Sequence, residues 1–209
     1  MSAPDLVLTT PVLAPPLLRR VKSILVSPQA EWRLIDGETA TIGSLYRGYV
    51  IPLSAIPPVA GLIGMTVFGV RLPFAGSFRV PLGSAISTAV LSYVLGLVGV
   101  GAFALLINML APTFAGRKDP VQALKVAAYG ATASWVAGIA GLIPNLSPLA
   151  ILGIYSLYLV FKGLPVLMKV PEDRALGYTA AIVVSGIVLF MGIGLISNRF
   201  VVFPVAPLR

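Results

Sequence analysis

Cysteine and histidine are absent from this chain, and its seven acidic residues stand against fifteen lysines and arginines. Without either residue there is no thiolate nucleophile, imidazole base, disulfide or soft metal site. Ser/His/Asp triads and histidine-bearing metalloprotease motifs are excluded by inventory alone. The acidic residues are also badly placed for chemistry, since none falls inside the five apolar stretches that run from about Tyr49 to Ile196. Proton- and cation-coupled carriers commonly rely on intramembrane carboxylates, so coupled transport is disfavoured. Enzymes that join or cleave lipid phosphates usually cluster carboxylates around Mg²⁺, whereas Asp119, Glu172 and Asp173 are few and scattered. No catalytic residue, metal site or cofactor is called for.

What the chain does have is apolar length. Hydrophobic residues make up 57%, charged residues only 11%, and the mean hydropathy is +0.97, against about a quarter charged in soluble domains. A run of about 20 apolar residues spans the bilayer core as a helix, and helices or closed barrels alone satisfy their backbone there. Barrel strands need alternating polarity, which these stretches lack. The fold class is therefore all-α: a polytopic five-helix transmembrane bundle preceded by short amphipathic interfacial helices.

Residues 1–16 carry Asp5 and four prolines and no basic start, unlike a signal peptide, and read as a disordered tail. Residues 17–47 read as a cytoplasmic interfacial region. In 17–26, Leu17, Leu18, Val21, Ile24 and Leu25 share a face, with Arg19, Arg20 and Lys22 off it. Such a helix lies in the headgroup layer or packs on the cytoplasmic ends of the bundle. Arg19, Arg20 and Lys22 are candidate contacts to anionic headgroups, each contributing about 1 kcal/mol. Ser27-Pro28 reads as cap and first residue of a second short helix over 28–36, with Glu31 in its first turn. Trp32 is a further candidate headgroup contact, as an interfacial aromatic.

The transmembrane domain covers 48–197. The first span, about 49–70, contains Pro52, Pro57 and Pro58, which predict an early kink or break. The loop 71–83 skims the far surface. The second span, 84–111, is about 42 Å long at helical rise and must tilt or protrude. The third, 122–143, carries Gly130, Ser134 and Gly138 at four-residue spacing, a small-residue row suited to close helix packing within the chain or between copies. Ser147-Pro148 reads as the start of the fourth span, 148–168. Pro171 to Arg174 form a loop, and the fifth span covers 176–197.

The net charge of +8 reads as orientation rather than nucleic-acid binding. Arg19, Arg20, Lys22, Arg33, Arg47, Arg117, Lys118, Lys125, Lys162, Lys169 and Arg174 fall on one side, and Arg71, Arg79, Arg199 and Arg209 on the other, eleven against four. The N-terminus is expected in the cytoplasm and the tail 198–209 outside.

Lys162 is read as the one charge well inside a span, about 10 Å from Lys169. The surrounding leucines, isoleucines, valines and phenylalanine offset its insertion cost of about 3 kcal/mol. It either snorkels to the cytoplasmic surface or contacts an anion or lipid headgroup. Tyr155 and Tyr158 share its face, and with Asn108 they form a candidate polar seam that serves equally well as ordinary packing.

Several motifs together resemble one family. They are Ser27-Pro28-x-x-Glu31-Trp32 with Ile35 and Glu38; Leu45-Tyr46-x-x-Tyr49; Pro52-Leu53-x-Ala55-Ile56-Pro57; and Ala127-Ala128-Tyr129 followed by Trp135. Tyr155-Ser156-Leu157-Tyr158, Gly163-Leu164-Pro165, Met168-Lys169, and Pro171-Glu172-Asp173 with Ala175-Leu176-Gly177-Tyr178 continue the series. In order and spacing these resemble the bacterial branch of the Yip1-domain membrane proteins. The resemblance implies five spans, a cytoplasmic N-terminus and a bacterial inner-membrane location with a periplasmic C-terminus. Eukaryotic members are associated with vesicle trafficking and Rab-type GTPases, a role not carried over to this short N-terminal region. The expected function is non-enzymatic: association with itself or other membrane proteins, and organisation of lipid. The alternative is a passive channel, carrier or lipid scramblase along the seam at Lys162.

Overall fold

The computed structural model describes residues 15–72, 76–143, 149 and 151–200. The tail 1–14, the Ser147-Pro148 cap and residues 201–209 lie outside them. Helices α1 (Leu17–Val26) and α2 (Pro28–Gly37) meet at Ser27. The side chain of Ser27 makes no capping bond, and the start of α2 is set by Pro28 at its first turn.

The first long helix, α3 (Ile42–Phe68), begins earlier than hydropathy suggests. Thr41 and Ser44 cap each other's backbone N–H groups at its start. Its prolines act as expected on the ladder: a π turn over Tyr46–Val50 precedes Pro52, and the helix loosens at Ala55 before Pro57. The far connection includes a short antiparallel hairpin, β1 (Val70–Leu72) with β2 (Gly76–Phe78), pairing Val70 with Phe78.

Helix α4 (Leu82–Leu110) continues as a 3₁₀ turn to Phe114. Next comes α5 (Pro120–Gly130), whose first N–H groups are capped by Asp119 at 2.9 and 3.0 Å. The expected third span does not form one helix. Helix α5 stops at Ala131, α6 (Thr132–Ala137) follows, and a 3₁₀ stretch over Gly138–Leu142 ends the segment. Thr132 explains the break, because its hydroxyl donates back to the Tyr129 carbonyl at 2.6 Å, a local bond that competes with the helical ladder.

Helix α7 (Tyr155–Met168) is preceded by a 3₁₀ run from Ile151, and α8 (Glu172–Phe200) takes Glu172 and Asp173 into its first turn. By length and composition four helices among the described residues are able to cross a membrane: Ile42–Phe68, Leu82–Phe114, Ile151–Met168 and Glu172–Leu195.

Helix α5 is the hub, packed between α4 and α7, while α8 lies on α4 and α2 lies along α7. The ends of α4 and α7 are tied by Arg117 N–H donating to the Met168 carbonyl at 2.8 Å. Tyr178 on α8 donates its hydroxyl to the Ile107 carbonyl of α4.

Candidate functional site: a buried charge cluster and an apolar groove

Residues 17, 20, 21, 24 and 25 follow the spacing of a single helical face, and that face of α1 is the one turned inward. Arg20 is therefore buried, 2% exposed, whereas Leu18, assigned to the apolar face, is 80% exposed. This corrects the assignment of Arg20 to lipid headgroups. Its guanidinium pairs with both Glu31 and Glu38, which are themselves buried. A planar five-donor fork suits two carboxylates better than an ammonium does. The guanidinium carbon also lies 5.4 Å from the centroid of the Tyr129 ring.

Around this pair the aromatic residues interlock. Trp32 is fully buried, so it is a packing residue and, contrary to expectation, does not reach a lipid headgroup. Its ring meets Tyr129 edge-on at 6.3 Å, and Tyr129 meets Tyr49 at 4.6 Å. Gly163 makes room for the Trp32 indole, since a Cβ there would stand 2.7 Å from ring carbon Cζ2. The Tyr49 and Thr132 hydroxyls lie 2.7 Å apart. With Thr132 donating to Tyr129, Tyr49 donates to Thr132.

Lys125 is a second buried cation, 2% exposed and five residues into α5. Lys162 is thus not the only charge within the predicted spans. The Lys125 ammonium donates to the carbonyls of Ile35 and Glu38 at 2.8 and 2.7 Å, a position favoured at a helix C-terminus. Two cations and two carboxylates leave the cluster formally neutral. Arg20 ties α1 to Glu31 and Glu38, and Lys125 ties α5 to the backbone at the end of α2. Beside it a cavity of about 430 Å³ opens between Leu17, Arg20, Thr39, Ser44 and Tyr49. At the margin Lys169 pairs with Asp36 in a half-exposed bridge.

On α7, Lys162, Tyr155 and Tyr158 do share a face. The Lys162 ammonium lies 5.6 Å from the Tyr158 ring centroid and 5.4 Å from that of Phe161. The two tyrosine rings are 5.3 Å apart, and the Tyr155 hydroxyl donates to the Leu25 carbonyl at 3.1 Å. Asn108 does not join them, because α4 packs against α3, α5 and α8. Below Tyr158 an apolar groove of about 880 Å³ runs between α6 and the start of α7, lined by Ala133, Val136, Ala140, Leu152 and both tyrosines.

The small-residue row is split by the break at Ala131. Gly130 lies against Val160 and Ser134 against Gly153 and Ser156 on α7, with its hydroxyl 3.0 Å from the Gly153 carbonyl. Gly138 instead meets Pro57 of α3. Arg19 and Lys22 remain on the exposed side of α1. Among the described residues no group of three or more His, Cys, Asp or Glu is placed to hold a metal ion.

Glu31, Glu38, Tyr49 and Tyr129 carry no individual signal in the sequence beyond their membership of a motif. The sequence signal of Lys125 as a buried group is a lone cation among Ala123, Leu124, Val126 and Ala127.

The family model of the Yip1 domain matches residues 22–193. Among curated proteins the chain is 24% identical over 176 residues to inner membrane protein YohC of Escherichia coli K12, covering 82% of this chain and 90% of that protein. The same protein from Escherichia coli O6:H1 strain CFT073 gives the same identity and coverage. No solved structure matches.

Proposed function

This chain belongs to the Yip1 domain family and is a multi-pass inner-membrane protein, and from that premise we propose that it works without covalent chemistry, by associating with itself or other membrane proteins and organising lipid around it. The observation that carries this reading is the division of charge on α1. Arg20 is spent internally on Glu31 and Glu38. Arg19 and Lys22 stand outward beside the exposed Leu18 and Val26. A docked helix with a mixed basic and apolar outer face fits the headgroup layer of an anionic leaflet.

In this reading α5 and α6 together make a third, interrupted crossing, which gives five in all. The N-terminus is cytoplasmic and the C-terminus periplasmic, in line with the excess of Lys and Arg on one side. Interruption is tolerable where the freed backbone is covered by neighbouring helices, as α3 and α7 cover this segment.

The test is enrichment of anionic phospholipid around the reconstituted full-length protein, measured by mass spectrometry of co-purified lipid. Replacing Arg19 and Lys22 by Ala is expected to remove about 2 kcal/mol of attraction and most of the enrichment. Unchanged enrichment refutes the role of the basic face.

The second reading, a passive conduit, rests on Lys162, which is half-buried against two aromatic rings. Its neighbouring groove is apolar, so the species moved is a lipid rather than an ion. Loss of lipid flip between leaflets in Lys162→Ala vesicles favours it, and absence of any flip in the native protein eliminates it.

A further inference from the structure

Among the described residues the groove between α6 and the start of α7 is lined by apolar and tyrosine side chains, and Lys162 stands one helical turn beyond Tyr158 at its rim, an arrangement that matches a phospholipid. We propose that the groove is a binding site for one acyl chain of an anionic phospholipid of the cytoplasmic leaflet, with the phosphate on the Lys162 ammonium. The proposal rests on the lipid-organising reading above and assigns it a defined site.

Three features carry it. The groove's volume of about 880 Å³ falls in the range of built ligand sites, about 300–1,000 Å³. Its walls are the methyl and ring surfaces of Ala133, Val136, Ala140, Leu152, Tyr155 and Tyr158, which give an aqueous ion nothing to coordinate and suit a hydrocarbon chain. Lys162 lies one helical turn beyond Tyr158, with its ammonium over the Tyr158 and Phe161 rings. Among the described residues it makes no ion pair.

The direction is also right. From Lys162 the groove runs back along α7 toward Ile151, away from the Lys169 end. A headgroup at Lys162 therefore places its chain toward the bilayer centre. The Tyr155 hydroxyl is already engaged with the Leu25 carbonyl, so the groove floor is fixed by α1. The half-buried Lys162 ammonium has no carboxylate partner among the described residues, and a phosphodiester is an anion that such a cation pairs with.

The experiment uses the full-length protein in phosphatidylglycerol/phosphatidylcholine vesicles, with trace lipids of each headgroup carrying a photoactivatable group on the acyl chain. Crosslinks are mapped by mass spectrometry. The phosphatidylglycerol probe is expected to label Leu152 and Tyr155 well above Val188, an exposed residue of α8. Lys162→Gln is expected to lower that labelling about fivefold, the factor one basic residue contributes at an anionic surface, and to lower phosphatidylcholine labelling less, because the choline cation offsets the charge of its phosphodiester. Ala137→Trp, on the groove wall, lowers both.

Groove labelling no stronger than at Val188, or an unchanged headgroup preference in Lys162→Gln, overturns the proposal. If anionic enrichment through Arg19 and Lys22 persists in that case, the site alone is refuted. If the native protein shows no enrichment at all, the lipid-organising reading falls with it.

Discussion

Arg20→Met tests whether the N-terminal helices are held by a buried ionic clamp. The substitution keeps most of the apolar stem but strips Glu31 and Glu38 of their shared cation, while the two carboxylates stay 9% and 4% exposed at the side chain. Breaking a buried pair by removing one partner costs about 3–5 kcal/mol, because the remaining charge is left uncompensated. For a chain of this size that lowers the midpoint of thermal unfolding by about 10 °C. Replacing all three residues, Arg20→Met with Glu31→Gln and Glu38→Gln, removes the charges together and is expected to recover most of the loss, as buried ion pairs replaced whole are often near neutral. The assay is thermal unfolding of the detergent-purified protein followed by tryptophan fluorescence, since Trp32 packs on Tyr129 and Trp135 on Tyr49. If Arg20→Met alone unfolds within about 1 kcal/mol of the native protein, the range of an exposed pair, then Arg20 is a surface residue and the clamp does not exist.

Other outcomes follow from the same geometry. Lys169→Ala removes a bridge whose partners are 48% and 27% exposed, so its unfolding midpoint should shift by under about 1 kcal/mol equivalent. Gly163→Leu drives a side chain into the Trp32 indole and should cost about 1–3 kcal/mol, with Trp32 emission becoming accessible to an aqueous quencher. Thr132→Val leaves the buried Tyr49 hydroxyl without its acceptor and should cost about 1–3 kcal/mol in unfolding, more than Tyr49→Phe, at about 1 kcal/mol.

Hydropathy located the long helices because bilayer-length apolar runs have few alternative folds. Their ends were less legible: α3 starts at Ile42 rather than Tyr49, and the Thr41-x-x-Ser44 pair that caps it is a local signal independent of hydropathy. At the break, Thr132 donates to Tyr129 and accepts from Tyr49. The second bond joins residues 83 positions apart, which no window along the chain captures. Polarity alone puts Arg20 on the outside, yet it is 2% exposed. Its spacing from Leu17 and Ile24 assigned it to the buried face, and its partners Glu31 and Glu38 make that burial tolerable. The proximity of Lys162 to Tyr155 and Tyr158 is readable, since they lie on one helix at i, i+3 and i+7. The addition of Asn108 was not supported, because face matching within one helix carries no information about which helices meet.

The most direct test of the five-crossing account is labelling of single cysteines, which the natural chain lacks, with a membrane-impermeant thiol reagent on intact cells. Asn145→Cys, following the interrupted segment α5–α6, and Arg209→Cys should both react from outside, while Lys118→Cys reacts only after the membrane is permeabilised. An Asn145→Cys that stays unlabelled until permeabilisation would mean that α5 and α6 do not cross, and the account would fail.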